Sequence, residues 1–263
     1  MGEQNNSAAI YQPLISEMTW SYSRLQCYNE CPYRFFMKYI KGCQEHQNFY
    51  SSYGSFMHKL LEQYYRGKIS KEEMQIKFLF DFQNEVEGAR PPGDIVSKYI
   101  KSGNEYLQSF KPLPFKMIDV EKEVHFSLND KQFVGFIDYI GEKDGELYIV
   151  DNKSRDLKPR SNKTKPTLKD NELDEMLKQL YVYSSAIKQE YGVFPKALCF
   201  NCFRTGVFIE EPFCENTYND TIKWATELIN DIETAEEFPP NREFFMCSFL
   251  CGLNDDCIFW EMR

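Results

Sequence analysis

The spacing of apolar positions shifts from helical to strand-like and back along the chain. Ser23-Arg-Leu-Gln26 reads as a capping box and predicts a helix to about Tyr39. Further helices are expected over roughly 55–65, 71–87 and 94–110, with Pro91-Pro92-Gly93 breaking the last two apart. Lys111-Pro-Leu-Pro114 closes this helical stretch. Strands are then expected near 118–127, 131–140 and 146–153. Leu173, Met176, Leu177, Leu180, Ser184 and Ile187 form the inward stripe of a helix over about 172–190. A strand pair near 196–203 and 206–210 and a helix over 216–237 follow. Helices, three strands, a helix, strands and a helix, in that order, predict a mixed α/β core with a helical N-terminal region.

The second and third strands carry the first candidate chemistry. Asp144-Gly145 between them is a strong signal for a two-residue hairpin turn. In the register that turn imposes, Asp138 lies directly opposite Asp151, and Lys153 shares the face of Asp151. Opposed carboxylates repel, and two of them beside an ammonium at the end of an apolar strand face are costly unless a cation binds. The alternative is a solvated strand end with a chance salt bridge.

Composition suits a globular chain of one large domain or two small ones: 263 residues, 42% hydrophobic, 27% charged and 16% aromatic. No apolar run approaches the roughly 20 residues that span a bilayer. The stretch 1–17 lacks the basic-then-apolar order of a signal peptide and is expected to be a flexible tail, which leads to the expectation of a cytoplasmic protein without membrane contact. The net charge of −9 argues against a general nucleic-acid coat. Its distribution changes that picture locally. Lys153, Arg155, Lys158, Arg160, Lys163, Lys165 and Lys169 face a single acid, Asp156, in the same stretch. A basic loop directly after the third strand could hold phosphates, with Arg155, Lys158, Arg160 and Lys163 as candidate DNA contacts, or could simply be solvated.

The nine cysteines would not form disulfides in a reducing compartment. Cys199 and Cys202 mimic a metal-binding pair, but an odd offset on a strand points them to opposite faces, so they are read as core.

Gly54-x-x-x-His58, Gly135-x-x-Asp138, Asp151-x-Lys153 and Gln179-x-x-x-Tyr183, in this order, resemble the RecB-like branch of the PD-(D/E)XK nucleases over about 20–259. The resemblance implies a restriction-endonuclease-like core, a mixed sheet flanked by helices, over 115–240. A helical N-terminal region would span 18–114 and a cysteine-bearing segment 241–263. It implies a metal-dependent DNA exonuclease acting on single strands or DNA ends, in recombination, repair or phage DNA processing, with room for a recombination or replication partner. Asp138, Asp151, His58 and the carbonyl of Asn152 would hold Mg²⁺ or Mn²⁺. Lys153 would activate the attacking water, while Gln179 and Tyr183, one helical turn apart, would contact DNA or position Lys153. Asp151 stands where many relatives have Glu.

Cys31-Pro-Tyr-Arg-Phe35, with Cys247-x₃-Cys251-x₅-Cys257, is similar to the iron–sulfur subset of that family, although the usual late spacing begins with x₂. This similarity implies a 4Fe–4S cluster on Cys31, Cys247, Cys251 and Cys257, with Zn²⁺ as the rival occupant and Cys27 as a substitute ligand. A DNA-end-binding subunit with a structural cluster and no catalysis is the alternative function. A zinc-stabilised RNA-processing protein has little support, because no RNP-type aromatic motif is present.

Overall fold

The computed structural model describes residues 10–88 and 90–260. Its helices are α1 (Gln12–Ser16), α2 (Tyr22–Glu30), α3 (Pro32–Phe35), α4 (Phe49–Tyr65), α5 (Lys71–Glu85), α6 (Gly93–Ser109), α7 (Leu168–Tyr191) and α8 (Glu215–Thr234). The strands are β1 (Lys116–Leu128), β2 (Lys131–Lys143), β3 (Glu146–Lys153), β4 (Ala197–Cys202) and β5 (Val207–Pro212). They form one sheet in the order β1-β2-β3-β4-β5. β3 pairs antiparallel with β2 and parallel with β4, and β4 pairs antiparallel with β5. The parallel step needs a crossover, which α7 supplies. The expected mixed sheet flanked by helices, with a helical N-terminal region, is therefore present.

The first expected helix is three pieces. Pro32 cannot donate a backbone hydrogen bond, so α2 stops at Glu30 with Cys31 extended, at φ −160°. Cys31 then caps α3, and a π-turn over Phe36–Ile40 follows. The capping box expected at Ser23 does not form. Ser21, extended at φ −152°, is the cap, and its side chain accepts from Arg24 N–H. Of the stretch expected as a flexible tail, residues 1–9 lie outside the described residues, and Gln12–Ser16 form α1 with Ile15 buried.

The chain divides into two compact units. One comprises the described residues up to His46, 125–135 and those from Asn219 on. In it, Trp20 is 1% exposed and bridges to Phe133, donating to Gln132 O at 2.7 Å and accepting from Val134 N–H at 2.9 Å. Phe36 stacks on Phe238 with ring centroids 5.3 Å apart. The other unit comprises 47–124 and 136–218 and holds most of the sheet. Its helical core packs Phe49, Tyr53, Phe56 and Met57 of α4 against Met74, Phe78 and Phe82 of α5, with Leu107 of α6 and Phe203. A Cβ at Gly103 would lie 2.5 Å from the Phe78 ring, so glycine is what lets α6 come this close.

Candidate metal and nuclease site

The β2–β3 turn is the expected one: Asp144 and Gly145 sit at φ 56° and 80°, the left-handed pair a type I′ turn requires. It sets Lys143 opposite Glu146 and, further along, Tyr139 opposite Val150. The next position in that register opposes Asp138 and Asp151, as the sequence predicts. At this point the ladder ends and its free groups turn to side chains. Asn152 N–H donates to Asp138 Oδ2 at 2.6 Å. Asn152 O accepts from His58 Nε2 at 2.8 Å.

His58 reaches this point from the middle of α4, which Asn48 caps by accepting from Ser51 N–H. Its other ring nitrogen lies 3.5 Å from Asp138 Oδ2. Lys153 Nζ lies 2.9 Å from Asp151 Oδ2 and donates to Gln179 Oε1 at 2.8 Å. Tyr183 is only 7% exposed and hydrogen-bonds Gln179. It is therefore placed to brace Gln179, and through it Lys153, rather than to meet a nucleic-acid strand. His58, Asp138, Asp151, Asn152, Lys153 and Gln179 line one open pocket.

Charge is crowded here. Asp138 and Asp151 are 8% and 5% exposed. Burial, together with the charge of Asp151, pushes the Asp138 carboxyl up to about 7. Burial pulls His58 down, but Asp138, Glu121 and Asp151 outweigh it and raise the imidazole to about 9. Asp151 Oδ2 is buried and takes no hydrogen bond despite the nearby ammonium of Lys153. Buried carboxylate oxygens, a backbone carbonyl and an imidazole, one oxygen of them unsatisfied, are the donor set a hard divalent cation takes. The residues present fit Mg²⁺ or Mn²⁺.

Sequence reading missed Glu121. Ligand atoms of His58, Glu121 and Asp138 all lie within 4.8 Å of one another. Glu121 stands at φ 48° in β1, a conformation that interrupts the pleat and turns its carboxylate to 3.4 Å from His58 Nδ1. Nothing in the pattern of β1 separates Glu121 from Glu123, so no sequence signal marks it.

The basic loop after β3 is only partly available to a ligand. Arg160 is held by Asp174 at 2.6 Å and Glu211 at 2.7 Å, and Lys158 pairs with Asp156 at 2.8 Å. Arg155 and Lys163 are exposed. Asp170 ties the loop down by accepting from the N–H and hydroxyl of both Ser161 and Thr167.

The four cysteines Cys31, Cys247, Cys251 and Cys257 line one cavity of about 260 Å³ with Tyr33 and Phe259 among its walls. Cys31 Sγ accepts from the N–H groups of Arg34 and Asn241, both at 3.4 Å. Cys27 is not part of that lining. It is 4% exposed, and burial pushes its thiol up to about 12. Cys199 and Cys202 are fully buried, in keeping with their core reading.

A family model described as the PD-(D/E)XK nuclease superfamily matches residues 19–258. A solved structure from Eubacterium rectale, of a protein described as a "putative exonuclease", aligns with 92% of this chain and 91% of its own at 15% identity, with a TM-score of 0.52. A second, of a protein designated SSO0001, aligns with 98% of this chain and 88% of its own at 14% identity, with a TM-score of 0.35. No curated protein sequence matches the chain at a significant level. Among the described residues no helix is long and apolar enough to cross a membrane.

Proposed function

The chain belongs to the PD-(D/E)XK nuclease superfamily, and from that premise we propose that it is a divalent-cation-dependent deoxyribonuclease, an exonuclease of single-stranded DNA or DNA ends. The observation that carries the reading is the end of the β2–β3 ladder. There two buried carboxylates, the Asn152 carbonyl and His58 converge beside a lysine that Gln179 holds in place.

Asp138, Asp151, His58 and Asn152 O would hold Mg²⁺ or Mn²⁺, with Glu121 beside them. When bound, the cation supplies Lewis acidity to the phosphoryl oxygens and lowers the pKa of an adjacent water. The chain's own groups do the rest. Asn152 N–H fixes the Asp138 carboxylate in one rotamer. Gln179 and Asp151 restrict Lys153 to a short arc. From there its ammonium orients the attacking water and offsets charge developing on the phosphate. An inert DNA-end-binding subunit has no physical need for this buried charge.

A 4Fe–4S cluster on Cys31, Cys247, Cys251 and Cys257 belongs to the same proposal. Zn²⁺ at about 2.3 Å from each sulfur would bring the sulfurs roughly 4 Å apart. The tight grouping of ligand atoms found at His58 is not found for these four sulfurs. They surround a cavity instead, which suits a larger thiolate-bound occupant. The N–H groups of Arg34 and Asn241 are directed at the Cys31 sulfur.

The deciding experiment is cleavage of end-labelled single-stranded DNA with Mn²⁺ or Mg²⁺ and with EDTA. Wild type should cleave only with the cation. Asp138→Ala or Asp151→Ala should each slow cleavage by a factor on the order of 10² to 10³ while DNA is still bound. Cleavage at the wild-type rate in EDTA, or in either variant, removes the proposed site.

A further inference from the structure

A line of buried polar groups runs away from the cation site into the protein, and the chemistry above does not use it. Asn152 and Asn201 are register partners on the parallel strands β3 and β4. Both are buried, at 5% and 7% exposure. Asn201 Nδ2 donates to Asn152 Oδ1 at 2.8 Å. Behind it, the Tyr106 hydroxyl from α6 meets the same Asn201 amide, 2.8 Å from Nδ2 and 3.2 Å from Oδ1. The surroundings are aromatic: the Tyr106 ring packs on Phe110 and Phe203. Side-chain amides in such a wall cost more than apolar residues of the same shape unless they specify an arrangement.

The arrangement they specify is at Asn152. Its N–H holds Asp138 and its C=O faces His58. No β2 partner is paired with it, because the register between β2 and β3 reaches only Val150. The backbone here is therefore held on the β4 side alone, and the side-chain bond from Asn201 adds to that hold. The same wall braces the opposite side of the site, where the Phe203 ring meets the His58 ring edge-on at 6.1 Å.

We infer that Asn201, backed by Tyr106, is a positioning residue that orients the Asn152 peptide as a cation ligand, so that α6 and β4 set the cation affinity of a site to which neither contributes a ligand. The inference rests on the nuclease reading. Outer hydrogen-bond partners of metal ligands typically change affinity by 10- to 100-fold.

The test is Mn²⁺ binding to the full chain, followed by the loss of the free Mn²⁺ resonance, alongside cleavage rates across Mn²⁺ concentrations. Asn201→Ala should weaken Mn²⁺ binding about tenfold or more. Tyr106→Phe, which keeps the ring and removes only the hydroxyl, should weaken it roughly two- to threefold, a partial loss of the same support. In both, excess Mn²⁺ should restore the rate and KM for DNA should stay unchanged. A merely structural amide would lower the melting temperature and leave the Mn²⁺ affinity of the folded protein as it was. If Asn201→Ala does not fold, Tyr106→Phe carries the comparison alone. Wild-type Mn²⁺ affinity in a folded Tyr106→Phe or Asn201→Ala protein overturns the inference while wild type still binds Mn²⁺ and cleaves. A wild type that neither binds Mn²⁺ nor cleaves overturns the nuclease reading and this inference with it.

Discussion

Asp138 occupies a position that burial and the charge of Asp151 make unfavourable for its ionised form, and its pKa of about 7 reflects that cost. Raised carboxyl and imidazole values act in the same direction on stability. A carboxyl near 3.9 unfolded and about 7 folded contributes stability at low pH that is lost as pH rises through 7. His58, near 6.5 unfolded and about 9 folded, contributes stability below 6.5 that is lost as pH rises through 9. Cation-free protein should therefore melt at progressively lower temperature between pH 6 and 9. Mn²⁺ should reverse the loss by binding the native state. Asp138→Asn removes the crowded charge, so its cation-free melting curve should be flatter and lie above wild type at pH 9, although the variant is inactive. Thermal melts in EDTA across this range check it, and parallel curves for the two proteins would mean that the carboxylate crowding is relieved in solution. Glu121 adds to the same repulsion, and no local pattern in the sequence points to it. Its role depends on one left-handed φ inside an otherwise regular strand.

The elements show how local rules succeed and where they stop. The Asp144-Gly145 turn and its register follow from neighbouring residues alone, and the structure reproduces them. α7 starts with Thr167 and Asp170 in a capping box and ends at Gly192 with φ 79°, both local devices. The loop from 154 to 167 is different, because its charges are assigned by distant partners. Arg160 is committed to Asp174 and Glu211, so its neutralisation should disturb the loop more than it changes the electrostatics of binding. Arg155 and Lys163 are, with Lys165, exposed basic groups of the loop that could meet phosphate. Neutralising Arg155 and Lys163 should lower the salt slope of single-stranded DNA binding by about 0.7 for each phosphate that no longer has a cationic partner. An unchanged slope would mean that the loop is solvated and takes no part in binding. Asp170 holds the loop through four hydrogen bonds, which keep its carboxyl well below the usual carboxylate range. Its contribution is present above the ordinary carboxylate pKa and is lost as pH falls through the folded value. Asp170→Ala should open 154–167 to limited proteolysis at neutral pH several times faster than wild type, by removing the acceptor of every one of these bonds.

At the scale of the whole molecule, both units are discontinuous in sequence. The cysteine cavity joins Cys31 to Cys247, Cys251 and Cys257, so an occupant closes a loop of over two hundred residues. Cys251→Ser should bleach the purified protein and lower its iron content. It should also lower the melting temperature by roughly 2–4 °C for each kcal/mol of binding energy removed, whereas Cys199→Ser should keep the colour. Equal iron in wild type and Cys251→Ser would end the cluster assignment. The order of elements, the hairpin register, the opposition of Asp138 and Asp151 and the shared face of Lys153 were determined by the sequence itself. Each depends on periodicity or turn chemistry between residues a few positions apart. The family motifs added His58, Gln179 and the four cysteines as expectations. Only the tertiary structure decided that Glu121 joins the carboxylates, that Arg160 is spent on internal pairs, and that Tyr106 and Asn201 stand behind Asn152. Those outcomes depend on which side chains meet across elements tens of residues apart, and no local pattern of apolar and polar positions encodes such meetings.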